Sequence, residues 1–147
     1  MKTLIRLGLF VLILPFSAFA QDDENWPPLS YLRSDYKAVS VVAHVRIREA
    51  DITGRIGGYE NWKVVCEVIE SFKGRFRKGE VIEYFQGAEA GLKKEYFNDE
   101  KVIFLLVDRD AAKKTLRYSV LENSSLPVTP DRVRKLRIIK RTTARRR

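Results

Sequence analysis

Residues 62–85 read WKVVCEVIESFKGRFRKGEVIEYF, and this stretch decides the architecture. Side chains on a strand alternate between faces, so the residues divide by parity. Trp62, Val64, Cys66 and Val68 form an apolar set, while Lys63, Val65, Glu67 and Ile69 form a mixed one. A strand with one face in a core and the other partly covered has that pattern. Gly74 and Gly79 bracket Arg75-Phe76-Arg77-Lys78, where the chain leaves one strand and must enter the next. Glu80 to Phe85 is rich in β-branched and aromatic residues, as a second strand requires.

Toward the C-terminus, Gln86 to Asn98 sustains no period and reads as a long connection with room for a helical turn. Lys101 to Val107 (KVIFLLV) is a continuous apolar run, the signature of a strand buried on both faces. Asp108 to Lys114 makes a charged turn, and Leu116, Tyr118 and Val120 then turn the apolar parity of another strand inward. Thr129-Pro130-Asp131 is a helix start, with a capping hydroxyl, proline in the first turn and an acidic residue just inside. Val133, Leu136 and Ile139 recur on one stripe, which predicts a helix from about Pro130 to Arg141. Its dock is expected on the outer face of the 101–107 strand.

Toward the N-terminus, Asp51 to Tyr59 (DITGRIGGY) holds three glycines and reads as a loop. Before it, Val39, Val41, Ala43, Val45 and Ile47 share one parity, and Ser40, Val42, His44, Arg46 and Arg48 share the other. That is a long amphipathic strand, with His44 on its polar side. Leu29 to Lys37 has the makings of a short helix capped by Ser30. Gln21 to Pro28 (QDDENWPP) is acidic and ends in prolines, as a loose leader would. Lys2 and Arg6, the apolar run Leu7 to Phe16 and the small residues Ser17-Ala18-Phe19-Ala20 have the form of a cleavable signal peptide. The run is short of the roughly 20 apolar residues a spanning helix needs. An exported protein, periplasmic or secreted, with no transmembrane segment after cleavage is therefore expected.

The resulting plan is a signal peptide at 1–20, a leader at 21–35, one domain with its C-terminal helix at 36–141, and a basic tail at 142–147. Five strands with short turns and one long connection predict an all-β fold with minor α. Its architecture would be a five-stranded Greek-key barrel of the OB type, with the C-terminal helix packed on it. A β-sandwich would want more strands.

The formal net charge of +9 has a location. Arg132, Arg134, Lys135, Arg137, Lys140, Arg141, Arg145, Arg146 and Arg147 supply 9 of the 28 basic residues. Residues 21–130 hold 17 basic and 18 acidic residues, so the basic excess belongs to the C-terminal helix and tail. Those nine residues are the candidate contacts to an anionic surface such as lipid or lipopolysaccharide. Arg75, Arg77 and Lys78 are candidate loop contacts.

Catalytic chemistry finds little support. His44 is the only histidine, and no nucleophile elbow accompanies it. Cys66 is the only cysteine; it excludes an internal disulfide, and its apolar setting makes it a small core residue. One histidine and one cysteine do not make a zinc site without carboxylates to complete it. Gly54, Gly57 and Gly58 precede no Gly-Lys-Ser/Thr, so they are no phosphate loop. Neither a metal, a cofactor nor an enzymatic activity is expected. The aromatics Tyr59, Trp62, Tyr84, Phe85, Tyr96 and Phe97, with the basic 75–78 loop, could form a stacking platform for single-stranded nucleic acid. Core packing accounts for most of them, and export argues against such a partner.

The chain resembles exported bacterial relatives of the netrin module, the OB-fold group that also contains the tissue inhibitors of metalloproteinases. The resemblance rests on Ala38-Val39-Ser40-Val41-Val42-Ala43-His44-Val45 and on Val64 to Gly79 with its Phe72-Lys73-Gly74 and Lys78-Gly79-Glu80 punctuation. It continues in Glu100-Lys101-Val102-Ile103-Phe104-Leu105-Leu106 and the final helix, covering most of 36–140. It implies a five-stranded barrel with packed helices and a binding role outside the cytoplasm. In the inhibitors an N-terminal cysteine chelates the protease zinc; Gln21-Asp22-Asp23 offers none, so no inhibitory residue carries over. The expected function is a non-catalytic interaction module of the envelope or exterior with a protein partner. Binding of anionic surfaces through the basic helix is the alternative, and protease inhibition stands third.

Overall fold

The computed structural model describes residues 26–110 and 115–145; the expected signal peptide at 1–20, Gln21 to Asn25, Ala111 to Lys114, Arg146 and Arg147 lie outside the described residues. Five strands, β1 (Val41–Ile56), β2 (Tyr59–Lys73), β3 (Val81–Glu89), β4 (Glu100–Asp110) and β5 (Thr115–Pro127), close a barrel in the order β1-β2-β3-β5-β4. All neighbours are antiparallel except β3 and β5, which run parallel. This is the five-stranded Greek-key barrel of the OB type. Two helices, α1 (Leu29–Ala38) and α2 (Pro130–Ala144), complete it.

The barrel interior is filled by the parity set of the central stretch. Trp62, Val64, Cys66 and Val68 from β2 meet Val41, Ala43 and Val45 from β1, Ile82 and Tyr84 from β3, and Ile103 and Leu105 from β4. A register shift between His44 and Val45 of β1, opposite Glu70 and Val68, marks a bulge in β2. A bulge reverses which face a residue occupies, so Glu70 and Phe72 point outward although they share the parity of Val68.

Outside the barrel lies a second core. Leu32 and Tyr36 of α1 and Val133, Leu136 and Ile139 of α2 pack over Val42, Phe72, Val102 and Phe104. The expected dock of the C-terminal helix is therefore present, but it spans β1, β2 and β4 and is shared with α1. The same packing explains why 101–107 reads as apolar on both faces: Val102 and Phe104 face the helices, and Ile103 and Leu105 face the interior.

Several boundaries differ from the sequence reading. The segment 51–59 is no loop; β1 runs to Ile56 and turns into β2 at Gly57-Gly58. Both glycines have positive φ, 56° and 82°, which a two-residue hairpin turn of the I′ kind requires. Gly54 sits instead at a register shift within the strand. Likewise β3 continues to Glu89 past its expected end at Phe85, and a 3-10 turn at Lys94–Phe97 supplies the helical part of the connection. Strand β4 continues through Asp110, into the segment read as a charged turn. Helix α1 starts at Leu29 with Pro28, not Ser30, at its N-cap. Leu116 is 46% exposed rather than inward. Gly74 (φ 99°) matters for closure, because a Cβ there would sit 3.1 Å from Val41 Cγ2 and 3.2 Å from the Ser40 carbonyl oxygen.

Candidate functional site

Helix α2 begins as its sequence dictates: the Thr129 hydroxyl accepts from the Arg132 backbone N–H at 3.2 Å, and Pro130 opens the helix. Its basic residues, however, are mostly engaged within the fold. Arg132 is only 7% exposed, and its guanidinium donates to the carbonyl oxygens of Trp26, at 2.5 Å, and Pro127. Burial pulls its pKa below the ordinary arginine range. It cannot face a surface, which corrects its place among the anionic-surface contacts. Arg134 and Lys135 pair with Asp131 at 2.5 and 2.6 Å. These bonds hold the Asp131 carboxyl below the usual range, Lys135 more strongly than Arg134. Arg137 grips Glu70 with two hydrogen bonds of 3.0 and 2.7 Å, and Lys140 donates to the Ser71 carbonyl at 2.8 Å. Arg141 and Arg145 are exposed and make no ion pair among the described residues. Arg146 and Arg147 lie outside them.

The fold brings the end of α2 against the β2–β3 connection. Lys140, Thr143 and Ala144 line a concavity of about 470 Å³ together with Lys73, Gly74 and Phe76. Of the predicted basic residues only Lys140 lines this groove, while Arg75, Arg77 and Lys78 are exposed on the β2–β3 connection that borders it. Arg75 lies 5.7 Å from the centre of the Phe76 ring and donates to the Tyr118 hydroxyl at 3.3 Å. Lys73 is spent: its ammonium donates to the carbonyl oxygens of Tyr36 and Val39 at 2.6 and 2.5 Å, closing the C-terminal end of α1.

A second feature escaped the sequence. Strands β3 and β5 meet at a single bridge, Phe85 to Ser119. A cleft opens on each side of it. One, of about 510 Å³, is lined by Phe76, Val81, Ile82, Phe85, Leu116 and Tyr118. The other, of about 450 Å³, is lined by Tyr59, Gln86, Gly87, Tyr96, Ser124 and Ser125 among others. Large apolar side chains stand exposed along this seam: Val81 at 64%, Tyr59 at 59%, Leu116 at 46% and Tyr96 at 37%. Arg117 stacks over Phe85, 4.3 Å from the ring centre.

Gln86 and Ser125 line the second cleft; Gln86 Oε1, like Trp62 Nε1 in the barrel core, is buried without a hydrogen-bond partner among the described residues. Burial pushes the Tyr84 phenol far above its ordinary range, an effect that the neighbouring Ser125 hydroxyl partly offsets. Gln86 continues the inward parity of Ile82 and Tyr84, so a longer reading of β3 would have placed it inside.

His44 and Cys66 sit on opposite sides of the barrel wall. His44 hydrogen-bonds Glu100 Oε2 at 2.7 Å on the outer face, and Arg46 holds the other oxygen of that carboxylate. Both bonds lower the Glu100 pKa, that of Arg46 more. Cys66 lies in the interior, where burial raises its thiol to about 12, too high for a thiolate nucleophile. Among the described residues no cluster of three or more His, Cys, Asp or Glu could hold a metal ion. None of their helices is long and apolar enough to cross a membrane. The chain matches no protein-family model and no curated protein.

Proposed function

We propose that this protein is an exported, non-catalytic interaction module of the cell envelope or exterior, with the β3–β5 seam as its contact surface. The observation that carries the reading is the concentration of exposed Val81, Leu116, Tyr59 and Tyr96 along two clefts that flank one bridge. Apolar side chains gathered on a concave, rimmed surface mark interaction sites more often than scattered ones do. The likeness to netrin-type modules supports the same role, and the signal-peptide pattern supports export.

The test places a photo-crosslinking residue at Leu116 and, as a control, at Arg134 on the far face of α2. Expression with the native leader, followed by irradiation, should give a defined adduct with an envelope or exterior protein from position 116 alone. The doubly substituted Val81→Ser, Leu116→Ser chain should lose that partner and keep its fold. Equal adducts from both positions, or none from 116, would remove the seam as a contact surface.

A second reading, contact with anionic lipid or lipopolysaccharide, is favoured by exposed Arg141 and Arg145 at the end of α2 and exposed Arg75, Arg77 and Lys78 on the β2–β3 connection, two segments that border one groove. It draws on fewer free cations than the sequence offers, because five of the helix's basic residues already pair with carboxylates or carbonyl oxygens of the fold. Protease inhibition has no residue to carry it.

A further inference from the structure

We propose that the cleft between the diverging ends of β3 and β5 takes an extended peptide segment as an added strand. This rests on the interaction-module reading and names the chemistry of the partner at that site.

Three observations carry it. First, the two strands run parallel and make one bridge, at Phe85 and Ser119, after which Gln86 to Glu89 and Val120 to Ser125 bound an open cleft. On its other side β3 is fully paired, from Tyr59–Glu89 through Glu67–Val81. A strand paired on one side directs every second N–H and C=O away from that partner, here toward the cleft. The β5 side is also loosened: between the pairs Leu105–Val120 and Ile103–Ser125, four residues of β5 stand opposite Phe104 alone.

Second, the wall of the cleft covers a buried polar atom that the fold leaves unsatisfied. Gln86 Oε1 belongs to a residue lining it and has no hydrogen-bond partner among the described residues. A buried acceptor of this kind asks for a donor. Third, the walls are aromatic and small: Tyr59 and Tyr96 stand at the rim, and Gly87 leaves the β3 backbone uncovered. The Tyr96 hydroxyl already donates to the Ser125 carbonyl oxygen at 3.2 Å, which fixes that ring as a wall.

An extended polypeptide is the ligand that answers all three. Its N–H and C=O groups alternate at the strand repeat, so they can pair with a free strand edge and present an N–H to Gln86 Oε1. Its side chains would fall alternately between the tyrosines and into solvent, the pattern of recognition by strand addition. A sugar could satisfy the polar atom and stack on the tyrosines, but it has no repeat to match the strand edge.

The test selects binders from a displayed library of linear peptides on the full chain, with a panel of oligosaccharides as the competing ligand class. Two substitutions probe the cleft without disturbing the fold. Gln86→Leu keeps the side-chain volume and removes an amide whose Oε1 has no partner among the described residues. Gly87→Val adds a β-branched side chain where a Cβ meets nothing closer than Asn61 Oδ1 at 4.0 Å, and φ is ordinary. Thermal unfolding of both should match the parent. The proposal expects a selected peptide whose affinity falls about tenfold on Gln86→Leu, the loss of one hydrogen bond, and further on Gly87→Val. Hydrogen exchange should slow at 86–89 and 120–125 when it binds. Peptides indifferent to both substitutions overturn strand addition here, while their loss on Val81→Ser, Leu116→Ser would leave the interaction module standing. Recovery of no peptide, or oligosaccharide binding that responds to both substitutions, overturns it too.

Discussion

Arg132 and Gln86 show how a single side chain can reverse its reading. Arg132 belongs by sequence to a run of cations, yet it bridges the carbonyl oxygens of Trp26 and Pro127 beneath α2. Arg132→Ala should lower stability by about 2 kcal/mol, since two carbonyls lose a charged donor. Urea unfolding checks this; a loss under about 0.5 kcal/mol would mean that water replaces the guanidinium fully. Composition could not distinguish this arginine from Arg141, because the distinction lies in a contact across 106 positions of chain. Gln86 was illegible for a different reason. Its neighbours Gly87 and Ala88 have poor strand propensity, and only pairing with β2 keeps them extended.

Among the elements, the strands that pack with regular alternation were the readable ones. The inward set Trp62, Val64, Cys66 and Val68 and the stripe Val133, Leu136 and Ile139 occupy the two cores as their periods require. The hairpin at Gly57-Gly58 was lost because glycine marks loops and tight turns alike, and only the register tells them apart. Bulges cost more: after the one near Ile69, parity assigns Glu70 and Phe72 to the wrong face. That same outward turn lets Glu70 clamp α2. Its hydrogen bonds from Arg137 hold the Glu70 carboxyl below its ordinary range. A depressed folded pKa stabilises fully above the unfolded value and progressively less as pH falls through the folded one. Glu70→Gln should therefore weaken the protein at pH 7 and flatten its loss of stability below about pH 4.5. Urea midpoints across that range decide it; parallel curves for the two proteins would show that the clamp contributes nothing. Asp131 and Glu100 shift in the same direction, so the variant should keep part of the slope.

For the whole molecule, the barrel and its order of elements were legible, and the binding surface was not. Sequence placed the charge on one segment and offered nothing about the seam, because a gap between β3 and β5 is a property of closure, not of either strand. The charge reading yields a test at this scale. If the protein meets anionic vesicles, the salt dependence should follow Arg75, Arg77, Lys78, Arg141 and Arg145, with each near-surface cation contributing about 1 kcal/mol. Replacing those five by glutamine should abolish flotation with vesicles containing phosphatidylglycerol. Replacing Arg134 should leave it unchanged. Flotation that survives the fivefold change would place the contact elsewhere.

The pairing of β1 with β2 sets two unlike ends apart. At one, Val42 faces Lys73 beside the cationic groove; at the other, Ile56 faces Tyr59 and Glu89 closes the sheet. Fifteen residues of β2 separate them, a run of roughly 40 Å once coiling and bulges shorten it. A molecule seated by its cationic end would hold the hairpin and its adjoining cleft well clear of the headgroups. The long hairpin then acts as a mast, and lengthening or trimming it would change what the cleft can reach, not how firmly the base is held.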